Sequence, residues 1–120
     1  MRVAGLGFRG AATFESLNDA LERAGGSVDA LATAEVKAGQ PAVRILAKAL
    51  RLPLLSISRA RLAEEETLTH SPVVEARFGT GSVAEAAALA AAGPGARLIG
   101  PRVISADGLA TAAIAERDDI

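Results

Sequence analysis

Three observations predict an α/β domain with a three-layer α/β/α arrangement around a central mixed sheet of about five strands. Short apolar runs of strand length alternate with amphipathic segments of helix length. Glycine and proline clusters punctuate the junctions. The chain closes on two apolar runs around Asp107-Gly108, a hairpin dipeptide, which makes the last strands antiparallel and the sheet mixed. The 120 residues suit one compact domain, 1–120, with no repeat and no linker.

Arg2 to Leu6 is short, apolar and ends in glycines, and reads as a buried strand. A helix follows, starting at Thr13 or Ser16; Ser16-Leu17-Asn18-Asp19 has capping-box spacing. Leu17, Ala20, Leu21 and Ala24 then line one helical face, and Gly25-Gly26 ends it. Val28 to Thr33 is a second strand, followed by the polar stretch Glu35 to Gln40. Pro41 opens a helix to about Arg51, since the first helical position needs no N–H. Pro53 to Ile57 is a third strand, and Ser58 to Glu66 a short helix with a solvated acidic end. Thr67 to Phe78 is the least regular stretch, with Ser71-Pro72 opening a helical turn. Ser82 and Glu85 have capping-box spacing ahead of a nearly all-alanine helix to about Ala92, and Gly93-Pro94-Gly95 ends it. Arg97 to Ser105 and Leu109 to Ala115 are the closing strands, and Glu116 to Ile120 a frayed end.

Composition excludes several classes of function. The chain has no cysteine, tryptophan or tyrosine, one histidine, three phenylalanines and 28 alanines. A disulfide framework, a zinc ribbon and a thiol nucleophile are therefore excluded, and no metal site or resident cofactor is expected. Thirteen basic against fourteen acidic residues leave no cationic excess for nucleic acid, and there is little aromatic surface on which to stack bases. No apolar run approaches membrane-spanning length and the first residues lack a signal-peptide core, so a cytoplasmic protein with no membrane partner is expected.

Several groups of residues suit ligand chemistry. Gly5-Leu6-Gly7-Phe8-Arg9-Gly10 satisfies the glycine spacing of dinucleotide-binding turns, with Glu35 where a ribose-binding acid would stand. Only four residues precede Gly5, and the chain is short for two mononucleotide halves, so dinucleotide binding is the third reading. A backbone approach to some other ligand, with Arg9 beside it, fits the same residues. Gly79-Thr80-Gly81-Ser82 precedes a helix start that can bind an anion or merely cap itself through Ser82 and Glu85. Glu35 and Lys37 follow the second strand, where α/β proteins place ligands, and in extended chain would point the same way; they suit a site or a surface salt bridge. Arg102 offers a planar fork for a carboxylate, with Thr111 on the neighbouring strand. His70 is alone in a polar loop, and Ser56, Ser58 and Ser71 have no visible partners for a triad.

Five landmarks, in order, resemble one family: Val3-Ala4-Gly5-Leu6-Gly7-Phe8-Arg9; Leu31-Ala32-Thr33 running into Lys37; Leu52-Pro53-Leu54; Gly79-Thr80-Gly81-Ser82-Val83-Ala84-Glu85-Ala86-Ala87-Ala88-Leu89; and Thr111-Ala112-Ala113-Ile114-Ala115. The chain resembles the cobalamin-biosynthesis family of CobE and the C-terminal domain of CbiG over nearly its whole length. The resemblance implies work on the corrin ring of vitamin B12. In two-part CbiG proteins that work is hydrolysis of the ring-A lactone of cobalt-precorrin-5A, with release of acetaldehyde; the CobE type belongs to the oxygen-dependent route. The chain departs from relatives in having Phe8 for a cysteine, Gln40 for an acid and Arg102 for a lysine.

The resemblance and the residues together lead to a carrier or accessory factor for a precorrin or hydrogenobyrinate-type intermediate. Expected ligand contacts are Gly5, Gly7, Phe8, Arg9, Lys37, Thr80, Gly81, Ser82, Glu85, Arg102 and Thr111. Corrin-pathway enzymes such as methyltransferases are the expected protein partners. The alternative is an enzyme of the same pathway, such as a lactone hydrolase, using Glu35, Lys37 and Thr80.

Overall fold

The computed structural model describes residues 1–118. Its elements are β1 Arg2–Phe8, α1 Phe14–Ala24, β2 Ala30–Ala34, a 3₁₀ turn Glu35–Lys37, α2 Pro41–Leu50, β3 Leu54–Ile57, α3 Arg59–Ala63, α4 Pro72–Phe78, α5 Val83–Ala92, β4 Arg97–Leu98, β5 Val103–Ile104 and β6 Ala110–Glu116. The sheet runs β3-β2-β1-β6-β4, with β5 also paired to β6. β1, β2 and β3 are parallel, and β6 is antiparallel to β1. The sheet is therefore mixed, and because β4 and β5 share one flank of β6 it has five strand positions.

α1 and α2 cover one face, burying Leu17, Leu21, Val43 and Leu46 against Leu6, Leu31 and Ile114. α5 covers the other face, with Leu62 of α3 and Val74 and Phe78 of α4 packed outside it. A helix enclosed on both sides must be small and apolar all round, which explains the alanines: eight of its ten residues are buried. Gly5 is the matching concession in the sheet. A Cβ there would stand 1.9 Å from the Ala84 carbonyl oxygen.

Several boundaries differ from the sequence expectation, each for a physical reason. The cap of α1 is Thr13, not Ser16; the Ser16 hydroxyl instead accepts from the Thr13 N–H at 3.1 Å and donates to Asp107 Oδ2 at 2.6 Å. The expected capping box at Ser16 thus lies one turn earlier. β1 continues to Phe8 because β6 pairs with it as far as Ala110. Thr67 to Phe78 contains a true helix, α4, capped by the Ser71 hydroxyl and ended by Gly79 at φ +74°. α3 stops at Ala63, so Glu65 and Glu66 lie beyond the helix.

The expected strand Arg97 to Ser105 is broken in two. Between the pairs Leu98–Ala115 and Val103–Ala112 it has four residues, 99–102, where β6 has two, a bulge at Gly100-Pro101. The Arg102 N–H turns away from β6 and donates to the Glu85 carboxylate. The expected frayed end is tied as well. Glu116 belongs to β6, and the Arg117 N–H donates to the Met1 carbonyl at 2.9 Å. Asp119 and Ile120, in that same expected end, lie outside the described residues.

Candidate functional site

The C-terminal ends of β1, β2 and β3 share one rim, where open α/β sheets place ligands. At this rim Phe8 is half-buried, and Lys37 Nζ lies 4.7 Å from its ring centroid. Lys37 is presented by the 3₁₀ turn after β2. Residues two apart in such a turn point in different directions. Glu35 is accordingly exposed and Lys37 half-buried, so the expected common direction of the pair does not arise. No ion pair joins them among the described residues.

Lys37 instead feels the charge of a second cation. Burial pushes its ammonium below the usual lysine range, and the charge of Arg77 on α4 lowers it further. Arg77 is exposed, and its guanidinium carbon lies 5.5 Å from the Phe78 ring centroid. Arg59 braces this helix end, donating from Nη1 to the Arg77 carbonyl and packing beneath the Gly79 Cα. Lys37, Arg77 and Arg59 make no ion pair with a described carboxylate. Like charges without a counter-ion repel at a cost in free energy that an anion relieves. The sequence reading missed Arg59 and Arg77. The available signal was Ser71-Pro72 followed by seven residues to Gly79, a capped helix of two turns.

The remaining expected residues divide between this rim and the interior. Arg9 is exposed just beyond Phe8, its N–H donating to the Leu109 carbonyl at 2.9 Å. Gly7 lies between Val83 and Thr111, and the Thr111 hydroxyl donates to the Gly7 carbonyl at 3.3 Å. Gly5 is covered by α5. Gly81 and Ser82 are buried beneath residues 67–71: a Cβ on Gly81 would stand 2.6 Å from the Thr69 carbonyl, and the Ser71 N–H donates to the Gly81 carbonyl. Arg102 is half-buried in the bulge, three strand positions from β2, roughly 14 Å at the usual strand spacing.

Glu85 is fully buried and internally employed. Its carboxylate accepts from the Leu68 and Thr69 N–H groups, the Thr69 hydroxyl and the Arg102 N–H. Burial alone would raise its pKa, but the hydrogen bonds from Thr69, Arg102 and Leu68 outweigh it and hold the group below the ordinary range. Ser82 Oγ accepts from the Glu85 N–H at 3.2 Å, so only half of the expected capping box forms. The second half is lost because the carboxylate turns to the loop and the bulge.

Thr80 lies on another side of α4. It lines a cavity of about 530 Å³ together with Glu65, Glu66, Leu68, His70 and Glu75. Among the described residues no group of three or more histidines and acids is placed to hold a metal ion, and no helix is long and apolar enough to cross a membrane. The dinucleotide fingerprint is not built. Gly5 and Gly7 lie inside β1, Gly10 meets nothing that would require a glycine, and the next helix starts only at Phe14.

These features define a class: a small three-layer α/β domain whose parallel core is extended by antiparallel strands, with a cationic rim at the end of that core. The family model described as cobalamin synthesis G C-terminus matches residues 2–115. The crystal structure of CobE, a protein from the cobalamin (vitamin B12) biosynthetic pathway, superimposes with a TM-score of 0.81 and 35% identity, over 96% of this chain and 89% of that one. The cobalamin biosynthesis protein chiG from Agrobacterium tumefaciens str. C58 gives a TM-score of 0.74 and 36% identity, over 99% of this chain and all of that one. No curated protein matches the sequence. The chain belongs to the cobalamin synthesis G C-terminal family, and it is a protein of the cobalamin-biosynthesis pathway.

Proposed function

We propose that the protein binds a carboxylate-bearing tetrapyrrole intermediate of corrin synthesis and serves as its carrier or accessory factor. The observation that carries this reading is Lys37 over the Phe8 ring, with neither it nor Arg77, whose charge acts on it, paired with a described carboxylate. Precorrin-type molecules carry acetate and propionate groups around a large apolar ring. Arginine and lysine suit the carboxylates, while Phe8 and the exposed Val36 offer apolar contact. Arg9 and Arg102 supply further, well-separated donors, as a ring with acids on several sides requires. Corrin-pathway enzymes, the methyltransferases among them, are the protein partners this role calls for.

Absorbance titration with a hydrogenobyrinate-type tetrapyrrole is the test. Saturable binding, weakened about tenfold or more by Lys37→Ala and by Arg77→Ala, is expected. Absence of binding to precorrin and hydrogenobyrinate ligands alike overturns the reading.

A second reading, lactone hydrolysis on the same intermediates, is favoured by the place of Lys37 at the strand rim, where burial and the Arg77 charge lower its pKa and so ease loss of its proton. Glu35 and Thr80 are its other candidates. Acetaldehyde released from a lactone-bearing precorrin, absent with Lys37→Met, supports it; unchanged substrate rejects it.

A further inference from the structure

Between Leu62 and Thr80 no residue is buried. The stretch 63–79 ends in α4 and carries Arg77, so this cation sits on chain with little apolar burial to hold it. Val74 and Phe78 pack half-buried on the core around α5. The stronger fastening is polar. Glu85 Oε1 accepts from the Leu68 and Thr69 N–H groups, and Oε2 accepts from the Thr69 hydroxyl. Oε2 also accepts from the Arg102 N–H at 2.9 Å. One carboxylate on a buried helix thus holds two separate segments, and each carries a cation, Arg77 in one and Arg102 in the other. The cap of α5 does not use this carboxylate, because Ser82 Oγ serves it. No described cation makes an ion pair with Glu85. A buried charge without a counter-ion is costly unless its donors are in place, which ties the two segments to one another through Glu85.

Resting on the reading of the rim as a carboxylate-binding site, we propose that Glu85 is its positioning residue: by holding the strap 67–69 and the bulge 99–102 on one carboxylate, it sets Arg77 and Arg102 in a fixed relation before a ligand arrives. Glu85 touches no ligand in this role and acts through the two arginines. The acids around a macrocycle stand at set distances from one another. Cations already held in register meet them without an ordering cost, and preorganisation of this kind raises affinity. Thr69 is the specific link to α4, since it gives the carboxylate two of its four hydrogen bonds and stands two residues before the Ser71 cap.

The charge of Arg77 lowers the Lys37 pKa, so NMR titration of Lys37 reports where Arg77 stands with no ligand present. Thr69→Val removes one charge-assisted hydrogen bond from the half-buried surface of the strap and is the gentler variant. It should move the Lys37 titration upward. It should also quicken hydrogen exchange at the Glu75 and Gly79 amides of the α4 helix by about tenfold relative to the Leu17 amide of α1. Hydrogenobyrinate binding should weaken several-fold. On an Arg77→Ala background, Thr69→Val should move Lys37 no further, which shows that the carboxylate acts through Arg77. Glu85→Gln should move Lys37 in the same direction as Thr69→Val. Ser16→Ala, a destabilising change on the other face of the sheet, should leave the Lys37 titration unchanged, which separates positioning from stability. Should the wild type bind no tetrapyrrole while Lys37 responds as expected, the reading of the rim falls and the positioning of Arg77 by Glu85 stands. A Lys37 titration that stays at the wild-type value in both Thr69→Val and Glu85→Gln overturns the proposal.

Discussion

Gly5 of β1 and Ala84 of α5 approach so closely that a Cβ on Gly5 would stand 1.9 Å from the Ala84 carbonyl oxygen, with the Ala88 nitrogen 2.6 Å away. Both obstacles are helix backbone and cannot rotate aside. Gly5→Ala must push α5 off the sheet, at a cost of about 3 kcal/mol. Thermal unfolding should show a drop of roughly 10 °C. Gly7→Ala meets the Thr111 side chain at 2.7 Å, which can turn away, so it should cost roughly 1 kcal/mol.

Glu85→Gln replaces a buried acceptor by a group with two donors, set among N–H groups that already donate. A loss of about 2–3 kcal/mol is expected in chemical denaturation. The pH dependence follows from the depressed pKa of Glu85 in the fold. Its contribution to stability is complete above the unfolded glutamate value of about 4.3 and is lost as pH falls through the lower folded value. Wild type should therefore lose stability below about pH 4, and Glu85→Gln should show a shallower acid slope.

Asp107 links the last hairpin to α1. Its carboxyl is held below the ordinary range by hydrogen bonds from the Ser105 and Ser16 hydroxyls and the Leu109 N–H. Ser16→Ala removes one of these and half of the Thr13 capping box, and should cost about 1 kcal/mol. A double-mutant cycle with Asp107→Ala should give a clear coupling energy; additive effects would show that the tether contributes nothing.

Arg77→Ala removes a charge that lowers the Lys37 pKa, while the burial of Lys37 remains. Titration of Lys37 by NMR should therefore move upward in the variant without fully reaching the free-lysine value.

Arg51 ends α2 in the left-handed region at φ +56°, where a side chain is disfavoured. Arg51→Gly should raise stability by roughly 0.5–1 kcal/mol, measurable as a higher denaturant midpoint.

Element order was legible in the sequence because periodicity and glycine breaks are local signals. The alanine run of α5, the Pro41 start of α2 and the Asp107-Gly108 turn each became the element they predict. The bulge was not legible, since its cause is the distant Glu85 carboxylate capturing the Arg102 N–H. The rim was half legible. Lys37 and Phe8 stand out after strands, but the charge of Arg77 reaches Lys37 only through the path of a seven-residue helix. The burial of Gly81, Ser82 and Glu85 was not legible for the same reason: residues 67–71 fold back over them, and no local pattern announces it.

The break at Gly100-Pro101 also bears on how this protein behaves beside copies of itself. An outer strand with a long row of free N–H and C=O groups is a template for another chain. Here that flank consists of two pieces of two residues each, out of line with one another. The opposite flank, β3, has four residues and follows Pro53, which has no N–H to offer. A strand seeking to extend the sheet meets only short stretches of regular backbone on either side, so the architecture resists edge-to-edge polymerisation at both margins.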